Sequence, residues 1–200
     1  MFYNESKLLK GDYSMDNYRV CPQLESANFL LRKVCLEDCA DLLNVYSDSA
    51  AWPIFNSDNC TDDFRITKLE DMETCIRFWL REYALRYYVR WSILDKTANS
   101  VVGTVELFNR TAQDFYNNVG LLRLDLRSDY ETAESIREIL SILVPDSYEL
   151  FDCKRIATKI PPCAKVRVKT LTELGFRYSE ELLYGHGGTP YGDYYILDES

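Results

Sequence analysis

Three strand-like segments follow one another through the middle of the chain, and helical periodicity flanks them on both sides. YYVRWSIL (87–94), VVGTVELF (101–108) and NVGLLRLDL (118–126) are rich in β-branched, aromatic and aliphatic residues, the composition that suits a pleated and at least half-buried surface. In the third segment Leu122, Leu124 and Leu126 share one face, while Arg123, Asp125 and Arg127 share the other. Before these strands, Leu36, Cys39, Leu42, Leu43 and Tyr46 recur at helical spacing, as do Leu69, Met72, Ile76, Trp79, Leu80 and Tyr83. Thr67-Lys68-Leu69-Glu70 matches a capping box that would start the second helix at Thr67. After the strands, Ile136, Ile139, Leu140 and Leu143 restore the helical period, with Pro145 expected to kink or end that helix. A chain that changes period in this way is neither all-α nor all-β. It is mixed α/β.

The remaining elements complete the order. FLLRKV (29–34) reads as a strand, followed by Leu36-Glu37-Asp38, whose carboxylates suit a helix N-terminus. KRIATKI (154–160) reads as a strand closed by Pro161-Pro162. A last helix follows, with Val168, Leu171 and Leu174 on one face and Gly175 as its left-handed cap. RYSEELLY (177–184) and GDYYILD (192–198) read as two closing strands around the glycine-rich loop of residues 185–192. The order is β-α-α-β-β-β-α-β-α-β-β. Residues 48–66 form a long loop with Trp52 and Phe55 as anchors, and residues 1–27 a polar extension laid over the surface. No repeat or low-complexity linker interrupts residues 28–200, so they are expected to form a single domain.

Composition excludes several functions. The net charge of −9 disfavours a general nucleic-acid binder. His186 is the one histidine, which excludes multi-histidine metal sites. Seven cysteines, odd in number and without a C-x-x-C pair, fit neither a zinc cluster nor a disulfide framework. The opening residues contain no apolar h-region, so reduced, mostly buried thiols and a cytoplasmic location are expected. No run approaches the ~18 apolar residues of a membrane span.

Leu30-Leu31-Arg32 with Leu36-Glu37-Asp38, then Trp91-Ser92-Ile93 and Val102-Gly103-Thr104-Val105, and finally Leu174-Gly175-Phe176 carry a resemblance. In this order, across residues 24 to 198, the chain resembles the GNAT superfamily of acyl-CoA-dependent N-acyltransferases. The branch it looks most like includes the ribosomal-protein-alanine acetyltransferases. The resemblance implies a central mixed, mostly antiparallel sheet of about seven strands flanked by about four helices. It also implies transfer of an acetyl group from acetyl-CoA to a primary amine by direct attack. The backbone of Leu124, Asp125 and Leu126 would then hold the pantetheine, and Thr132 and Ala133 would lie at the pyrophosphate.

Family members have a glycine-rich loop at that last place, where backbone N–H groups and a helix dipole meet the pyrophosphate. Here the glycine positions fall at Thr132, Glu134 and Ile136. Asp129, Glu131 and Glu134 would face an approaching polyanion. At roughly 7 Å and an effective dielectric of about 20, each would oppose it by on the order of 2 kcal/mol. The family's asparagine near the start of the final helix and its tyrosine general acid four residues before Gly175 correspond to Ala164 and Leu171. These departures also allow a GNAT-like binding or regulatory domain that no longer transfers.

Two residues carry the candidate catalytic chemistry. Glu106, a lone carboxylate within an apolar strand, is either a general base for an acceptor amine or an outward residue on a half-exposed sheet. Asp125, flanked by Arg123 and Arg127 on its face, reads as their structural partner. In the GNAT arrangement the closing hairpin borders the acceptor, which makes Tyr184 the candidate acid for the leaving thiolate and puts His186 nearby. The net acidity suits a cationic acceptor, a small amine such as a polyamine or aminoglycoside, or a protein N-terminus. No nucleic acid or membrane is expected as a partner, and an oligomer is compatible with the sequence.

Overall fold

The computed structural model describes residues 16–61 and 64–199; the expectations for residues 1–15 lie outside them. Eight strands build one sheet: β1 (Leu24–Glu25), β2 (Phe29–Lys33), β3 (Val89–Asp95), β4 (Ser100–Arg110), β5 (Val119–Leu126), β6 (Arg155–Lys159), β7 (Arg177–Tyr178) and, after two intervening strands, β10 (Tyr194–Asp198). Their order is β1-β2-β3-β4-β5-β6-β10-β7. The β5–β6 pair is parallel, and the other ladders are antiparallel. β8 (Leu183–Tyr184) and β9 (Pro190–Tyr191) form a separate ribbon. The extra strand relative to the sequence reading is β1, which comes from the polar N-terminal stretch and pairs Leu24 with Leu31. The segment expected as one strand over 177–184 divides between the sheet and the ribbon.

Four α-helices cover the sheet: α1 (Cys39–Tyr46), α2 (Leu69–Ala84), α3 (Ala133–Leu150) and α4 (Lys165–Glu173). On one face the leucine row of β5 packs with Trp91, Val105 and Leu107 against Ile136, Ile139, Leu140 and Leu143 of α3. On the other face Leu42, Val45 and Tyr46 of α1 meet Met72, Ile76 and Trp79 of α2. Helical period in the sequence thus becomes a three-layer core.

Two helix boundaries differ from the sequence reading. α2 starts at Leu69 with Lys68 as its N-cap, so the Thr67 capping box does not form. α3 continues through Pro145 to Leu150. The proline removes one N–H bond to the carbonyl of Ser141, but both residues lie on the exposed side, where water can take that carbonyl. Gly175 has a φ of 93°, the left-handed cap the sequence calls for. None of the seven cysteines forms a disulfide, and Cys153 alone is fully buried while Cys163 is exposed, so the expectation of mostly buried cysteines does not hold. No helix among the described residues is long and apolar enough to cross a membrane.

Two local features shape the middle of the sheet. Gly103 on β4 lies so close to β5 that a Cβ there would stand 2.3 Å from the Asp125 carbonyl oxygen. Gly103→Ala is therefore expected to force the β4–β5 ladder apart and to destabilise the protein by several kcal/mol, in the range of severe strain and core overpacking (~2–4 kcal/mol). An unchanged midpoint in a urea titration of that variant would show that the ladder adapts. The second feature is the end of the β5–β6 ladder. Gly120, Leu121 and Leu122 pair with Ile156, Ala157 and Thr158, and the pairing stops there. Past Leu122 the two strands part, leaving the end of β5 without a neighbour on that side.

Candidate active site

Beneath α1 and α2 the sheet is polar. The β3–β4 register sets Arg90 opposite Glu106, and the β4–β5 register sets Glu106 opposite Arg123. Arg90 Nη2 donates to Glu106 Oε2 at 2.5 Å, and its Nη1 donates to Thr104 Oγ1 at 3.0 Å and to the Tyr46 hydroxyl at 3.2 Å. Asp125 Oδ2 lies 3.7 Å from the same guanidinium and accepts from the Tyr46 hydroxyl at 3.1 Å. Arg90 also sits 4.2 Å from the Trp79 ring centre. Arg90 and Glu106 are each 2% exposed, and Asp125 is 1%. Burial raises the Asp125 carboxyl above its ordinary range, with Arg90 pulling the other way. It likewise holds the Tyr46 phenol well above its usual value.

This arrangement corrects two expectations. Glu106 does not point outward to solvent. Asp125 pairs with Arg90 rather than with its sequence neighbours: Arg123 Nη1 lies 3.5 Å from Glu106 Oε1 and also donates to Cys60, while Arg127 binds Asp129 at 2.6 Å on the surface.

Over Glu106 lies a cleft of about 1200 Å³. Glu106, Arg123 and Tyr194 are among the residues that line it, together with Tyr184, Gly185 and His186 from the ribbon. Phe78 of α2 and, just past its end, Leu85 and Tyr87 line it as well. The two sequence candidates Glu106 and Tyr184, far apart in the chain, thus border one space. Tyr184 is half exposed, and its backbone is fixed by Arg110 Nη2, which donates to its carbonyl at 2.8 Å. Among the described lining residues are five arginines and three carboxylates, Asp58, Glu82 and Glu106. The net negative charge of the chain is therefore not concentrated here.

The residues expected to hold the donor lie elsewhere. Leu124, Asp125, Leu126, Thr132 and Ala133 are absent from the cleft lining. Leu124 and Leu126 face α3 in the core, and Asp125 lies under α1. At the open end of β5, Arg167 of α4 donates from Nη1 to the Leu124 carbonyl at 2.7 Å and pairs through Nη2 and Nε with Glu131. Arg167 is 3% exposed.

In the loop ahead of α3 several backbone donors are already engaged. Ser128 N donates to Asp48 Oδ2 at 2.8 Å, Arg127 N to the Val102 carbonyl at 2.9 Å, and Glu131 N to Ser128 O at 3.2 Å. Thr132 caps α3, its hydroxyl accepting from Ser135 N at 3.2 Å. The charge at this loop also differs from the sequence argument. Of the three carboxylates expected to repel a polyanion, Asp129 is neutralised by Arg127 and Glu131 by Arg167. Glu134 is exposed. Ala164 and Leu171, which stand where the family has polar groups, are buried in the α3-side core.

The other face of the parting strands is also bridged. The backbone carbonyl of Asp58 accepts from Arg123 Nη2 at 2.8 Å, its Oδ1 binds Lys159 Nζ at 2.6 Å, and its Oδ2 accepts from the Tyr194 hydroxyl at 3.2 Å. One loop residue therefore ties β5, β6 and β10 together where the β5–β6 ladder has ended. Arg90, Asp58 and Arg167 are the site residues that sequence reasoning missed. An arginine inside the apolar run of β3 was a visible signal for Arg90; Asp58 and Arg167 sit in polar contexts that offered none.

No known family profile matches the sequence, and no curated protein matches it either. Solved structures share its fold. The ribosomal-protein-S5-alanine acetyltransferase of Vibrio fischeri superposes with a TM-score of 0.64 at 17% identity, covering 88% of this chain and 94% of that one. RimJ of Mycobacterium smegmatis, in complex with CoA-disulfide, gives 0.64 at 15%, covering 88% and 84%. A GNAT-family acetyltransferase of Bacillus anthracis gives 0.63 at 13%, covering 88% and 98%. The fold is that of the GNAT acetyltransferases, as the resemblance implied.

Proposed function

We propose that the protein is an N-acyltransferase in which an amine bound in the cleft attacks an acyl-CoA thioester directly. The observation that carries this reading is the cleft itself, with the buried carboxylate of Glu106 in its wall on an acetyltransferase fold. The amine nitrogen forms the new bond to the acyl carbon, the carbon–sulfur bond breaks, and the amine proton passes to Glu106. Glu106 Oε2 is held by Arg90, whereas Oε1 stands 3.5 Å from Arg123, beyond ordinary hydrogen-bond reach. Oε1 is the oxygen that takes the proton. Tyr184 at the rim returns one to the leaving thiolate.

The lining also bears on the acceptor. Phe78, Leu85, Tyr87 and Tyr184, each between 48% and 61% exposed, all line this cleft. Exposed apolar groups gathered at one place mark a binding surface. Asp58, Glu82 and Glu106 are each already beside a cation of the chain. The acceptor is accordingly a single amine on an apolar body, namely a protein N-terminus, rather than a polyamine or aminoglycoside. The name of the Vibrio fischeri protein points to the same kind of acceptor.

The bridged and occupied passage between β5 and β6 favours a second reading, a binding domain that does not transfer. Incubation with acetyl-CoA and short peptides beginning with Ala, Ser or Phe separates the two. Mass spectrometry is expected to show one acetyl group on the peptide α-amine, with spermidine a poorer acceptor. Absence of transfer, together with no calorimetric binding of acetyl-CoA at millimolar concentration, would leave the binding domain as the function.

A further inference from the structure

We infer that Arg167 and Glu131 form an internal plug in the donor groove, so that the chain holds itself in a state that cannot accept an acyl-CoA. The inference rests on the transferase reading, and it concerns the side of the sheet opposite the cleft.

Three observations meet at this point. First, the β5–β6 ladder ends at Leu122 and Thr158, which frees the next backbone groups of β5 for an outside partner. A strand edge with unpaired carbonyls and N–H groups is a ready binding surface for an amide-bearing chain. Second, the carbonyl offered there, Leu124 O, already has a donor in Arg167 Nη1 at 2.7 Å. Third, Arg167 is held in place by a two-nitrogen pairing to Glu131, which lies immediately before the N-cap of α3. Both side chains are sheltered, at 3% and 9% exposure. The pair therefore spans the groove from the β5 edge to the start of α3, the two ends that a thioester arm and its phosphates would have to touch.

The chemistry makes this a plug rather than packing. A guanidinium satisfies the Leu124 carbonyl and a carboxylate satisfies the guanidinium, so the groove is closed by groups that pair with one another. Removing one partner alone leaves the other buried without a counter-charge. The Arg167 charge is also felt by Asp125, and burial raises both Asp125 and Glu131 above the ordinary carboxylate range. Loss of Arg167 alone would leave the sheltered Glu131 carboxylate without its partner where an anionic ligand approaches. A ligand that enters must displace the pair, and its apparent affinity falls by the fraction of molecules that are open.

Isothermal titration of CoA into the full chain and into the double variant Arg167→Ser/Glu131→Gln tests this. The double variant removes both members, so no uncompensated charge remains. It is expected to bind CoA at least tenfold more tightly than the unaltered protein, with peptide affinity in the cleft unchanged. Glu131→Gln alone, which keeps the side-chain volume and loosens the clamp, is expected to shift CoA affinity in the same direction by several-fold and guards against misfolding of the double variant. If the unaltered protein binds CoA and neither folded variant binds more tightly, the plug is wrong and the transferase reading stands. If neither the protein nor the opened variants bind CoA, both fall.

Discussion

Arg90→Ala is expected to lower the unfolding free energy by about 3–5 kcal/mol, the usual penalty when one partner of a buried ion pair is removed. Arg90 is the cation between Glu106 and Asp125, and all three are at most 2% exposed. It also donates to Thr104 and to the Tyr46 hydroxyl, so its loss leaves two carboxylates and two hydroxyl groups to rearrange under α1. Arg123 cannot replace it. That side chain is committed to the Asp58 carbonyl and to Cys60, and it lies 3.5 Å from the nearer Glu106 oxygen.

The loss should depend on pH, in a direction fixed by Asp125. Burial raises its carboxyl in the folded protein above the 3.8 of a free aspartate. The folded state therefore holds that proton more tightly than the unfolded chain does, and stability declines as pH rises from about 3.8 through the folded value. Without Arg90 the folded value climbs further and the window of declining stability widens. Urea titrations at pH 5 and pH 8 should show a larger gap between the variant and the unaltered protein at pH 8. A gap of equal size at both would mean that Asp125 finds another counter-charge.

The pairing of Arg90 shows where sequence reasoning stops. The hairpin linking β3 and β4 pairs Asp95 with Ser100 and Leu94 with Val101, and continuing that register would set Arg90 against Val105. A bulge between Ile93 and Leu94 shifts the register by one residue and sets Arg90 against Glu106 instead. The period of the side chains, the helix stripes and the lone carboxylate on β4 were all legible, because each is a property of a single segment. The partner of that carboxylate depends on one inserted residue, which leaves no mark in composition.

Arg167 is hidden for a similar reason. In α4 charged residues fall on more than one face, at Lys165, Arg167, Lys169 and Glu173. Which of them turns inward is decided by where β5 and β6 part, a tertiary feature. The acidic loop is only half legible in the same way. Its charge was visible in the sequence, but its neutralisation by Arg127 and Arg167 was not.

Glu106→Gln separates the roles of the central carboxylate. If Glu106 takes the amine proton, turnover should fall by roughly 10²–10⁴-fold, the usual contribution of a positioned general base. Acetyl-CoA affinity should change little, because Glu106 lies on the cleft side of the sheet and Arg167 closes the opposite side. A purely structural role predicts a different pattern. Glutamine keeps an oxygen that can accept from Arg90, so the fold should survive with a loss of about 1–3 kcal/mol, the range for a hydrogen bond to a charged group. A base-free variant that remains folded should also lose the acidic limb of its pH–rate profile, since that limb reports protonation of the base. A structural variant would keep the limb and lose only its thermal midpoint. Unchanged turnover in folded Glu106→Gln protein would remove Glu106 from the chemistry and leave it as the counter-ion of Arg90. The amine would then have to arrive at the thioester already deprotonated, which the variant would reveal as a rate that keeps rising with pH toward the amine's own pKa.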